Sequence, residues 1–338
     1  MRVVNLFVIA SVFFGIIACD NSTGSQDSQG TNDQINDVAG IDKMIELDSL
    51  NHELLVKRAK LNLEKGNLNA AIHDINKSLG INNQYVDAYL VLADIYFAMG
   101  LPDNCNTALL RALEVDGDDT RSHIKLAELN LLIQNHTLAM GYIDQAISLS
   151  PYNPEAYYIR AMLYMSRQDT VQAIRNFQLA LNQKEDFYEP LMQLGSIYSS
   201  QNNSLAEQYL MRAIAYYPQS LQARYQLALY YQDNNRLDDA LAHYDTLLMR
   251  QPGNKHVLFN LGYVNMVYKF QYEKAIDYFE EALQVDPNYI DALFNKGRAL
   301  EELGRIMAAR DIYREVLEIR TNYQLAIEGL NRIEGKRN

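Results

Sequence analysis

The sequence predicts an all-α chain built as a stack of helical hairpins, and three observations carry that prediction. The first is a unit between Lys255 and Tyr289. Leu258, Leu261, Gly262 and Asn265 form one run, and Tyr272, Ala275, Phe279 and Ala282 form another, closed by Pro287. Apolar and small residues at steps of three and four mark the buried face of a helix, so this unit is two helices with a break between them. The second is recurrence: the same register begins again at His52, Val86, Thr120, Pro154, Tyr188, Leu221, Lys255 and Ile290. Five of the seven spacings are 34 residues, with 33 from Tyr188 to Leu221 and 35 from Lys255 to Ile290. The short spacing places a lost residue near Gln201-Asn202-Asn203, and the long one a gained residue near Lys269-Phe270-Gln271. The third is a pair of columns of small residues. Ala59, Ala93, Ala127, Ala161, Gly195, Ala228, Gly262 and Gly297 stand at position 8, and Ala71, Cys105, Ala139, Ala173, Ala206, Ala240, Ala275 and Ala309 in the second helix.

These columns resemble the tetratricopeptide repeat (TPR) family, over residues 52–323. That family's 34-residue pattern carries a Gly, a Tyr, an Ala, an aromatic and a Pro at set offsets. The closing Pro is present as Pro151, Pro218, Pro252 and Pro287, and is replaced by Asn83, Gly117, Glu185 and Thr321 elsewhere. The family's tryptophan at position 4 is absent, and Arg224 is the poorest fit there. The resemblance implies a right-handed α-solenoid of eight TPR helix-turn-helix repeats with N- and C-terminal capping helices. Such a body is elongated, and each repeat buries its apolar face only against its neighbours.

In chain order, residues 1–18 have the shape of a signal peptide: Met1-Arg2, then an apolar run from Val3 to Ala18. Sixteen residues of helix span about 24 Å, short of a hydrocarbon core of about 30 Å. Ile16-Ile17-Ala18-Cys19 resembles the bacterial lipobox. That resemblance implies that Cys19 is lipidated and anchors the protein in a membrane, since two acyl chains suffice for stable attachment. Either membrane of a bacterial envelope fits this pattern, with the chain facing the periplasm or the cell surface. Residues 19–34 hold no apolar residue after Cys19 and read as a flexible tether. Residues 35–51 carry Ile41, Met44, Ile45 and Leu47, the tail of a second helix without its first, and are expected to cap the array. At the far end residues 324–338 continue the register as a lone first helix with a polar outer face. The second cysteine, Cys105, stands in the small column and reads as a buried substitute for Ala.

The net charge of −12 argues against nonspecific nucleic-acid binding, which needs a cationic footprint. No catalytic, cofactor or metal motif stands out. The six histidines have no partners at metal-ligand spacing; His123 and His136 fall at packing or surface positions. Gly329 to Lys336 mimics a phosphate loop, but five residues separate its glycines and Arg337 stands where Ser or Thr is needed.

What remains is a binding surface. In the family, first helices line the concave face, and positions 5 and 9 tend to point into it. Tyr158, Met192, Tyr225 and Phe259 at position 5, with Met162 and Tyr263 at position 9, form an apolar stripe suited to a protein or peptide ligand. The alternative is that position 5 packs between adjacent repeats. Lys57, Lys60, Arg121 and Lys125 put positive charge toward the N-terminal end of this groove, and Asp291, Glu301 and Glu302 put negative charge toward the other. Some relatives clamp a peptide's terminal carboxylate with Lys and Asn; Arg121 and Lys125 fit part of that set, but Leu90 and Val91 do not. The expected function is a membrane-anchored, noncatalytic scaffold of the cell envelope. The alternatives are a subunit of an outer-membrane β-barrel or secretin/pilus assembly machine, or an accessory to an envelope enzyme.

Overall fold

A computed structural model describes residues 37–335, and the leader, Cys19 and the tether expected before them lie outside that range. Among the described residues there are 18 α-helices and no strand. They fall into two compact units that divide between Lys184 and Glu185. Unit 1 holds α1 (Val38–Leu47), α2 (His52–Glu64), α3 (Leu68–Ile81), α4 (Val86–Ala98), α5 (Pro102–Val115), α6 (Thr120–Leu132), α7 (His136–Leu149), α8 (Pro154–Ser166) and α9 (Thr170–Gln183). Unit 2 holds α10 (Tyr188–Ser200), α11 (Leu205–Tyr216), α12 (Leu221–Asp233), α13 (Leu237–Arg250), α14 (Lys255–Val267), α15 (Tyr272–Val285), α16 (Ile290–Glu302), α17 (Ile306–Ile319) and α18 (Gln324–Gly335).

The columns of small residues explain how each hairpin closes. A Cβ added at Gly195 would lie 2.6 Å from Leu210 Cδ2, at Gly262 2.6 Å from Phe279 Cε1, and at Gly297 2.7 Å from Tyr313 Cε1. Position 8 is therefore where the first helix meets the large side chain of its own second helix. Cys105, 1% exposed, fills the second small column as Ala does elsewhere, and burial pushes its thiol up to about 12.

The turn between the two helices adds a column that residue type conceals. Gly66, Gly100, Gln134, Gln168, Asn202, Asn235, Phe270 and Gly304 all take a positive φ. Gly adopts this conformation without steric cost and Asn with little; for a bulky residue it is an outlier, and Phe270 is the one aromatic among them. The gained residue explains its setting. In the turns at Leu101 and Arg305 the amide donates to the carbonyl five residues back, Tyr96 and Leu300, whereas Gln271 N donates to Asn265 O, one residue further, at 2.9 Å. The lost residue shows in α11, which has 12 residues against 14 in the other second helices.

The ends of the array reuse its internal contacts. Arg58 on α2 is held by Asp74 of its own hairpin at 2.6 Å and by Asp42 on α1 at 2.7 Å. Within the same unit Arg160 on α8 donates to Asn176 at 2.7 Å and pairs with Asp144 on α7 at 3.6 Å. In unit 2, Lys296 on α16 pairs with Glu280 on α15 at 2.9 Å. Asp42 thus stands where a preceding second helix would place its carboxylate, and α1 packs as that helix. At the other end α18 is fastened by Arg332, whose guanidinium donates twice to Glu301 at 2.8 Å, while the Tyr313 hydroxyl donates to the same carboxylate at 3.0 Å.

Candidate functional site

Successive first helices touch one another directly within each unit: α2 on α4 and α6 on α8 in unit 1, α10 on α12 and α14 on α16 in unit 2. Pairs of successive second helices make no comparable contact. In each unit the first helices form a closely spaced row, and the candidate residues lie along these rows.

In unit 2 positions 5 and 9 of the row are uncharged over α12 and α14, being Tyr225, Leu229, Phe259 and Tyr263. Tyr225 and Phe259 are half-buried, and each faces the aromatic residue of its own second helix, Tyr244 at 6.3 Å and Phe279 at 5.9 Å between ring centroids. Phe259 also lies 5.5 Å from Tyr289 and 6.1 Å from Tyr263, which is itself half-buried. Asn260 on α14 donates to the Tyr225 hydroxyl at 3.0 Å, and the Tyr244 hydroxyl donates to Gln232 at 2.9 Å. Beside Tyr225, the Gln226 side-chain oxygen is buried with no hydrogen-bond partner.

The apolar stripe is therefore more interior than the sequence suggests. Tyr158, Met162 and Met192 are 5%, 8% and 6% exposed, and the Tyr158 ring packs 5.9 Å from Phe177. These three side chains hold hairpins together and do not stand free. Of the stripe, only Tyr225, Phe259 and Tyr263 keep intermediate exposure.

The four cations in unit 1 also differ from expectation. Arg121 donates to Asp87 on α4 at 2.7 Å and pairs with Asp119 at 2.9 Å. Lys125 donates to Asp94 on α4 at 2.6 Å. Lys57 is half-buried and Lys60 exposed, and neither makes an ion pair among the described residues. Half of the expected positive patch is spent on bridges between neighbouring first helices. One residue that the sequence did not single out lies beside them. Glu128, one turn after Lys125 on α6, is 5% exposed, and burial raises its carboxyl to about 7, with Asp94 and Glu155 adding to the rise and Lys125 opposing it.

At the C-terminal end, Glu301 is engaged by Arg332 and Tyr313, while Asp291 and Glu302 are exposed. His123 packs against Tyr142 with its Nε2 3.0 Å from Gly117 O, and His136 Nδ1 lies 3.2 Å from Ser166 Oγ. Among the described residues no group of three His, Cys, Asp or Glu side chains is placed to hold a metal.

Family models described as tetratricopeptide repeat match residues 62–129 and 268–328 in one case and 198–255 and 225–266 in the other. Together they cover more than half of the chain. The C-terminal part of a TPR repeat-containing protein from Cytophaga hutchinsonii aligns with a TM-score of 0.60 at 18% identity, covering 70% of this chain and 98% of that one. PilW, a widely conserved type IV pilus biogenesis factor, aligns with a TM-score of 0.51 at 22% identity, covering 63% of this chain and 97% of that one. At these identities the likeness is one of fold. An uncharacterized protein of Guillardia theta is 35% identical over 66 residues, which are 20% of this chain and 37% of that protein. The match therefore spans well under two thirds of that relative's length.

Proposed function

This chain belongs to the tetratricopeptide repeat family, and from that premise we propose that it is a noncatalytic, lipid-anchored scaffold of the cell envelope that holds a protein or peptide segment on its first-helix row. Proteins of this family are generally noncatalytic scaffolds. The observation that carries the reading is Gln226, whose side-chain oxygen is buried without a donor beside the half-buried Tyr225. A buried acceptor left unmade costs roughly 1–3 kcal/mol, which a donor from a bound segment would offset. Tyr263 on the adjacent first helix adds an aromatic surface, the adaptable contact that suits a peptide.

A photoreactive amino acid placed at Ser196, exposed on α10, should crosslink a partner protein in living cells. The same group at Met249, 76% exposed on α13, should not. Crosslinking at Met249 and none at Ser196 would move the binding surface to the second helices. The anchor is tested apart from this. Cys19→Ser should abolish lipid labelling and release the chain from the membrane fraction, and unchanged labelling would remove the lipid from the proposal.

A further inference from the structure

The ion pairs of unit 1 take up half of the positive charge that its first-helix row was expected to offer. Arg121 is neutralised by Asp87 and Asp119, and Lys125 by Asp94. Beside them, Glu128 on α6 and Glu155 at the start of α8 have no ion-pair partner among the described residues. Glu128 is 5% exposed, and among the described residues no hydrogen bond reaches its carboxylate. A carboxylate largely withdrawn from water and without donors is held at a cost that a cation with N–H donors would offset. Among the described residues no group of three metal-ligating side chains is placed around Glu128.

We propose that Glu128, flanked by Asp94 and Glu155, seats the ammonium or guanidinium group of a lysine or arginine side chain carried by the segment bound on unit 1. This rests on the reading that the first-helix row holds a segment of another protein, and it gives that segment a sign. The partner is basic at this point, where the sequence alone gave only a protein or peptide ligand. A side-chain cation supplies several N–H donors and reaches a recessed oxygen at the end of a flexible stem. An anionic partner, nucleic acid included, would meet repulsion here.

The test pans a displayed library of random dodecapeptides against the full chain at pH 8, in the wild-type form and as Glu128→Gln. Wild-type protein should enrich peptides with a Lys or Arg. In a synthetic copy of the best one, without His, replacing that residue by Gln should weaken binding at least tenfold. Glu128→Gln should bind both copies alike. Selected peptides without a basic residue, or a tenfold loss that persists in Glu128→Gln, would overturn the assignment and leave segment binding standing. Recovery of no peptide by either form would overturn both.

A second measurement needs no variant. The charged groups around Glu128 are Lys125 on its own helix, Asp94 on α4 and Glu155 on α8, and the Cys105 thiol on α5 lies beside Lys125, pushed up to about 12. Between pH 8 and pH 6 the ionised fraction of a carboxyl near 7 falls about tenfold, and wild-type affinity for the basic peptide should fall with it. Affinity that is flat over that range would overturn the assignment.

Discussion

Glu128→Gln should make the protein more stable at pH 8 and leave its stability unchanged near pH 4.5. The carboxyl rises from 4.5 to about 7 on folding because α6 buries it, so between those values the folded chain binds a proton that the unfolded chain does not. The favourable contribution of the protonated form is whole below pH 4.5 and is lost as pH rises through 7. One pKa unit corresponds to 1.36 kcal/mol, so the ionised side chain costs the folded state about 3 kcal/mol above pH 7. Gln keeps the shape and removes the charge. At pH 8 the variant should therefore melt several degrees above wild type, at roughly 2–4 °C per kcal/mol for a body of this size. Thermal unfolding of both proteins, followed by circular dichroism at the two pH values, isolates the effect, because every other titrating group is common to both. Hydrogen exchange in α6 and α8 localises it, since repeats couple mainly to their neighbours. Equal differences at the two pH values, or a variant less stable at pH 8, would refute the reasoning.

Two further outcomes follow from the packing. Tyr225→Ala combined with Phe259→Ala should lower the melting temperature, because each half-buried ring faces the aromatic residue of its own hairpin. Large aromatic truncations cost about 3–5 kcal/mol in full cores and less where burial is partial, so a nearly unchanged melting temperature would return both rings to the role of free anchors. Phe270→Gly should raise the urea midpoint, because the side chain is 68% exposed and its backbone sits at φ +54°. Releasing that strain is worth about 1 kcal/mol, and a lowered midpoint would mean that the ring makes contacts which outweigh it.

The parts of this fold that could be read from the sequence are those where sterics leave no alternative. Gly195, Gly262 and Gly297 stand against Leu210, Phe279 and Tyr313, where no larger side chain fits, so their spacing displays the repeat. The turn column is equally regular in φ but hidden, because Gly, Asn, Gln and even Phe270 tolerate the conformation at different cost. The candidate site was harder to read for a different reason. Position 5 points both toward the first-helix row and toward its own second helix. Whether Tyr158 or Tyr225 remains accessible depends on how closely adjacent hairpins approach, and periodicity does not encode that distance. Charge misled in the same way. Arg121 and Lys125 read as free until Asp87 and Asp94, one repeat earlier, are brought against them. Glu128 then emerges as the residue whose surroundings, and not its type, make it unusual.

The carboxylate that α1 offers to Arg58 makes the first described joint of this chain a copy of joints inside it. Asp42 meets α2 as Asp144 meets α8 and as Glu280 meets α16, so the outermost seam is built like two internal ones. A gene shortened to begin at α7 or at α15 would expose a terminal helix already fitted to the hairpin that follows it. Length in such a lineage can therefore change in whole hairpins at these junctions without a new cap having to arise each time. The stagger of basic and acidic side chains at these three joints acts as a coupling standard, and α1 meets it with a single helix.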